Sequence, residues 1–153
     1  MARDVSSFSD HPRLIWDQSD IQRLFESLDQ WTAFELPPGE LSIAFLDDNA
    51  LANIHRAFLD DPTPTDVITF PAEPEDDMAG EICVSVDMAE RAAREHQQPF
   101  QHELTLYLVH GWLHLAGLDD QNQDDRETMR QAESQAMTWI KSQNALPDFD
   151  LQN

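Results

Sequence analysis

The stretch from Leu104 to Asp120, L-T-L-Y-L-V-H-G-W-L-H-L-A-G-L-D-D, limits the possible folds more than any other. On a helical wheel Leu104, Leu106, Tyr107, Leu108, Val109, Trp112, Leu113 and Leu115 occupy every side. A surface helix keeps a polar face, so a helix apolar all round belongs in the middle of its domain. Yet this one carries His110 and His114, four residues apart. That spacing puts both imidazoles on one face, about one turn apart. A bare H-x3-H pair is more often two hydrogen-bonded core residues than a metal site. Here Gly117 adds a helix stop, because glycine enters the left-handed conformation cheaply. The chain can then turn back and bring Asp120 to the same place. The full pattern, H-x3-H-x2-G-x2-D, offers three protein ligands and leaves a fourth position open, the layout of a catalytic rather than a structural zinc site. The spacing therefore predicts one Zn²⁺ held by His110, His114 and Asp120. The oxygen ligand relaxes the preference for zinc and admits Mn²⁺ or another divalent ion.

The remaining segments supply a sheet and its covering helices. Arg13 to Trp16 reads as a strand, and Ser19 as the N-cap of a helix to Trp31 with Ile21, Leu24, Phe25 and Leu28 inward. Trp31 and Phe34 extend that packing. Leu41 to Leu46 alternates as a strand, and Asp47 or Asp48 caps a short helix to Phe58 with Leu51, Ile54 and Phe58 inward. Pro62 and Pro64 fix an extended loop, and Val67-Ile68-Thr69 is a β-branched strand. Glu73 to Gly80 reads as a solvated acidic turn, and Glu81 to Ser85 as a strand antiparallel to Asp66–Phe70. Ser85 caps a helix to His96, with Arg91 and Arg94 offsetting local acids. A last helix, Gln123 to Ser142, buries Met129, Ala132, Ala136, Met137 and Ile140. The tail from Asn144 reads as loose. The expectation is an α+β fold, a small mixed sheet packed with helices around the 100–117 helix, in one domain spanning 1–153.

Composition narrows the setting. With 153 residues and 41% apolar content the chain can bury a real core. Cys83 is the only cysteine, so no internal disulfide forms. It reads as a small buried strand residue. No apolar leader or membrane-length run is present, and the expectation is a soluble cytoplasmic protein with no membrane partner. The net charge of −21, eight arginines and Lys141 against thirty carboxylates, opposes long-range attraction to nucleic acid. Either a salty cytoplasm screens that charge or a basic partner protein delivers the chain to its substrate.

Two segments carry a family resemblance. His110-Gly-Trp-Leu-His114-Leu-Ala-Gly117-Leu-Asp119-Asp120 resembles the H-G-x-L-H-L-x-G-x-D-H signature of the YbeY family, bacterial rRNA-maturation endoribonucleases. The one departure is Asp120, where the family has a third histidine. Leu51 to Pro71 resembles a second family block through Arg56, Pro64-Thr65-Asp66-Val67 and Phe70-Pro71. The resemblance covers roughly residues 40 to 140. It implies a zinc-dependent, single-strand-specific endoribonuclease in rRNA (16S 3′ end) maturation and ribosome quality control. Its implied partners are rRNA and the small ribosomal subunit, with a basic ribosomal protein as a further possibility. By the same resemblance Arg56 is the catalytic candidate, holding a phosphate or stabilising transition-state charge; from spacing alone it would be a surface arginine lying along apolar surface. The general base is unassigned, with Asp119 a candidate for orienting a histidine. Two other readings stand beside this one. A degenerate site with a ribosome-binding role would leave Asp120 without a metal. A zinc peptidase is disfavoured, because the general-base glutamate of H-E-x-x-H enzymes is replaced by Gly111.

Overall fold

The computed structural model describes residues 3–59 and 65–153; the Asp60–Pro64 part of the expected extended loop lies outside them. Two sheets and five α-helices make an α+β fold among the described residues. The main sheet has strands β1 (Val5–Ser9), β3 (Glu40–Leu46), β5 (Met78–Ser85) and β4 (Val67–Phe70), in that spatial order. β1, β3 and β5 are parallel, and β4 runs antiparallel to β5 with Ile68 opposite Cys83, as the strand–turn–strand pattern predicts. A second, two-stranded sheet pairs β2 (Leu14–Ile15) with β6 (Asp150–Leu151).

Alternation along the strands assigns the two faces of the main sheet. Leu41, Ile43, Phe45, Ile82 and Val84 point to one face. There they join the apolar sides of α1 (Gln18–Gln30), α3 (Val86–His96), α4 (Phe100–Leu115) and α5 (Gln123–Ser142) in the principal core. Ala44, Leu46, Ile68 and Cys83 point the other way and are covered by Leu51 and Ile54 of α2 (Asp48–Leu59). α4 lies at the centre of the first face, with Leu104, Leu108, Val109, Trp112 and Leu113 fully buried. Trp31 stacks obliquely on Trp112, and Phe34 on Trp31, as the packing role expected of both requires.

Helix ends follow local chemistry. Asp17, not Ser19, caps α1, its carboxylate accepting from the Ser19 N–H. Aspartate two residues earlier serves the same orphan donors, so the sequence alone does not separate the two. Asp47 accepts from the Ala50 N–H at the start of α2, and Ser85 caps α3 through Met88 N–H. α4 ends where expected: Leu118 N–H returns to Leu113 O and Gly117 takes φ +108°.

Four features differ from the sequence reading. β1 is a strand that the serine-rich V-S-S-F-S segment hardly signals; its register on β3 brings Val5 beside Leu41, under α1. The tail from Asn144 is ordered, because Ala145 and Phe149 are buried and β6 pairs with β2. Phe149 meets the Phe45 ring edge-on. Phe58 is not inward but 68% exposed, with only an edge contact to Phe70. The acidic turn also shortens: Pro74–Asp76 is one 3₁₀ turn, and Met78 to Gly80 already belong to β5. No helix among the described residues is long and apolar enough to cross a membrane.

Candidate metal centre

α4 turns His110 toward α5 and into a cavity of about 320 Å³, with His114 one turn further along the same helix. Gly111 explains how α4 comes so close to the sheet. A Cβ there would stand 2.6 Å from Ile82 Cγ2 and 3.3 Å from Thr69 Cγ2. The same contact speaks against peptidase chemistry, since a glutamate at this position would run into the sheet rather than toward the histidines. The imidazoles of His110 and His114 lie edge to face with ring centres 4.6 Å apart. Past the Gly117 turn the chain returns, and Asp120 Oδ2 sits 3.4 Å from Nε2 of each histidine. All three predicted ligands thus converge, their ligand atoms within 4.8 Å of one another.

Two of the three donor spacings have the length that a single small ion requires. Bonds of about 2.0–2.1 Å in a tetrahedron require donor atoms roughly 3.3–3.4 Å apart. The two Nε2-to-Oδ2 separations have that length. A buried core pair, the alternative for a bare H-x3-H, would show each imidazole satisfied by its own partner; here both Nε2 atoms share one carboxylate oxygen instead. The side chains are 22%, 24% and 40% exposed, so the fourth side of the site is open to substrate or solvent. The group can hold a divalent metal.

Glu133 of α5 completes the arrangement. Its Oε2 lies 3.0 Å from His110 Nδ1. A proton held on Nδ1 by that carboxylate leaves the Nε2 lone pair free and aimed at Asp120, the usual way an outer carboxylate fixes a metal-binding tautomer. Burial pulls the His110 pKa down, but the Glu133 hydrogen bond and charge, with Asp66 and Asp120 nearby, outweigh it and leave the imidazole above its ordinary value. Asp119, the sequence candidate for orienting a histidine, instead accepts from the backbone N–H of Asp120 and stiffens the turn. Glu133 flanks the buried Met129–Ala132–Ala136 stripe of α5, an acid on the inner edge of an otherwise apolar stripe. That placement, together with the M-x-x-x-E spacing from Met129 that resembles the family's, is the signal the sequence offers for it, though not its contact with His110.

Arg56 sits exposed in the last turn of α2, the helix on the opposite sheet face, and is not among the residues lining this cavity. The cavity is lined instead by Asp66, Glu103, Tyr107, Arg126, Arg130 and Met129, beside His110, Asp120 and Glu133. Met129 is 2% exposed, the core role expected of it.

Comparison with known proteins agrees with this geometry. The Endoribonuclease YbeY family profile matches residues 11–141. Endoribonuclease YbeY of Rhodopirellula baltica is 43% identical over 67% of this chain and 54% of its own length, so the chain matches little more than half of that relative. The Protochlamydia amoebophila protein of the same name is 39% identical over 67% of this chain and 71% of its own. The one from Sinorhizobium fredii is 35% identical over 79% of this chain and 73% of its own. A Thermotoga maritima protein solved in solution shares the fold at a TM-score of 0.58 and 24% identity, with 93% of each chain covered. The chain therefore belongs to the endoribonuclease YbeY family of RNA-cleaving hydrolases.

Proposed function

We propose that this protein is a zinc-dependent endoribonuclease that cleaves single-stranded RNA during rRNA maturation and ribosome quality control in the cytoplasm. The observation that carries the reading is the shared Asp120 oxygen, equidistant from two imidazole nitrogens of one buried helix. Bound there by His110, His114 and Asp120, Zn²⁺ (or Mn²⁺) would supply Lewis-acid chemistry for phosphodiester hydrolysis. The chain's own residues do the rest. Glu133 keeps the proton on His110 Nδ1. α4 is fixed by its buried face, so the two histidines are held without reorganisation. Arg56, exposed in the last turn of α2, is the candidate for a phosphate contact through its bidentate guanidinium. The partners in this reading are rRNA and the small ribosomal subunit. A basic ribosomal protein suits a chain of charge −21.

Metal content by elemental analysis, beside Asp120→Ala and Asp120→His, tests this. About one metal per chain in wild type, lost in Asp120→Ala, with cleavage of single-stranded RNA abolished by a soluble, folded His114→Ala, supports the assignment. A wild-type protein that takes up no zinc or manganese would make the site degenerate and hand the lead to a ribosome-binding role.

A further inference from the structure

Cations are scarce in this chain, and most are committed locally. Arg3 pairs with Asp29, Arg13 and Arg94 with Glu90, Arg23 with Asp20, and Arg91 with Asp48. Arg126 and Arg130 differ. They stand four residues apart on α5, hence on one face and about 6 Å apart along the axis. Both line the cavity that contains His110 and Asp120. Among the described residues neither pairs with a carboxylate; Arg126 only donates to the Gln121 carbonyl at 3.3 Å. Carboxylates are within reach in sequence, but Glu133, three residues beyond Arg130, is held by His110.

Apart from its histidines, the remaining charged lining of the cavity has the reverse character, Asp120 and Glu133 included. Glu103, with 5% of its side chain exposed and paired with His96, belongs to it together with Asp66. A polyanionic strand cannot rest its phosphates on those carboxylates. It can rest them only on the arginine rim. We propose that Arg126 and Arg130 contact backbone phosphates of single-stranded RNA on one side of the cleaved phosphate, so that the strand enters between α4 and α5 along the α5 edge. The proposal rests on the endoribonuclease reading above. It also answers the charge problem: a repulsive surface still binds RNA where two unneutralised guanidinium groups adjoin the reaction centre.

The test is binding of a fluorescent single-stranded RNA oligonucleotide by anisotropy across a salt series. The variants are Arg130→Gln, the pair Arg126→Gln/Arg130→Gln, and a control pair Arg23→Gln/Arg94→Gln with the same change in net charge. Each lost phosphate contact lowers the slope of log K against log salt by about 0.7 on a single strand. Arg130→Gln should therefore lose about 0.7 and the double variant about 1.4, with affinity down roughly tenfold in the double. The control pair should keep the wild-type slope. Metal content equal to wild type in every variant shows that the triad is undisturbed, and Arg130, which holds nothing else in place, gives the cleanest reading. A wild-type slope in Arg130→Gln, or an equal loss in the control pair, overturns the proposal while RNA cleavage by wild type leaves the enzyme assignment standing. A metal-loaded wild type that neither binds nor cleaves RNA overturns both.

Discussion

Replacing Glu133 by glutamine probes whether the site is organised for a metal or is merely a histidine–aspartate cluster. The substitution preserves shape and keeps one acceptor oxygen, but it removes the charge 3.0 Å from His110 Nδ1 in a setting where Glu133 is 16% exposed and His110 22%. Loss of such an outer carboxylate ordinarily costs 10- to 100-fold in metal affinity, about 1.4–2.7 kcal/mol. The assay is zinc affinity by competition with a chromophoric chelator, with exposed Glu127→Gln as the control for net charge. pH adds a second readout. In the metal-free protein Glu133, with Asp66 and Asp120, holds the His110 pKa above its ordinary value against the opposing effect of burial. Protons therefore compete with metal at His110 more strongly in wild type than in the variant as pH falls. The affinity deficit of Glu133→Gln should be largest above neutrality and shrink in acid. A variant that binds zinc as tightly as wild type at pH 8 would refute the orienting role. A deficit independent of pH would mean that Glu133 acts only through packing.

Other outcomes follow from packing and charge. Gly111→Ala drives a methyl to 2.6 Å from the buried Ile82 Cγ2; overpacking of about 1–3 kcal/mol exceeds the roughly 1 kcal/mol gained in helix propensity, so Tm should fall by a few degrees, and a rise would contradict the contact. Burial raises the pKa of Asp87, but the His11 hydrogen bond at 2.8 Å, the Asp48 N–H and the charges of His11 and Arg91 bring it below the usual carboxylate value. Its stabilising effect is thus complete above about pH 4 and lost as pH falls through the depressed folded value, so the stability gap between wild type and Asp87→Asn should close in acid; a gap constant from pH 7 to pH 2.5 would count against it. Cys83 is 1% exposed, and burial pushes its thiol up to about 12. It should resist iodoacetamide in the native protein and react once denatured; native-state labelling would show that the α2 face opens.

The metal triad was legible because its three ligands fall within one helix and the turn that ends it, where helical geometry alone sets distances. The α3 and α5 boundaries and the β4–β5 pairing were legible for the same reason, each resting on contacts close in sequence. What escaped depends on meetings between distant segments. Glu133 reaches His110 from another helix, and no spacing rule connects residues 110 and 133. β1 is mostly serine, and its aromatic residue, Phe8, is exposed; it becomes a strand because β3 offers it an edge and α1 covers Val5. The tail is polar around Pro147, yet Ala145 and Phe149 find room in a core completed by residues more than a hundred positions earlier. Nothing in the sequence singles out Arg126 and Arg130; only the cavity gives them a common neighbour.

The β2–β6 pairing also bears on how the chain matures. Leu14 and Leu151 meet across nearly the full length of the polypeptide, and Gln152 N–H bonds to Arg13 O. A contact of that separation closes a very large loop, and its entropic cost is met only after the intervening elements have docked. During synthesis the segment around Arg13 has no partner strand until β6 has emerged from the ribosome. The α1–sheet unit, including β1 on β3, can assemble well before that. Closure of the two ends is therefore a late step, and a truncation after Ser142 should leave the N-terminal segment unpaired rather than merely shortening a tail.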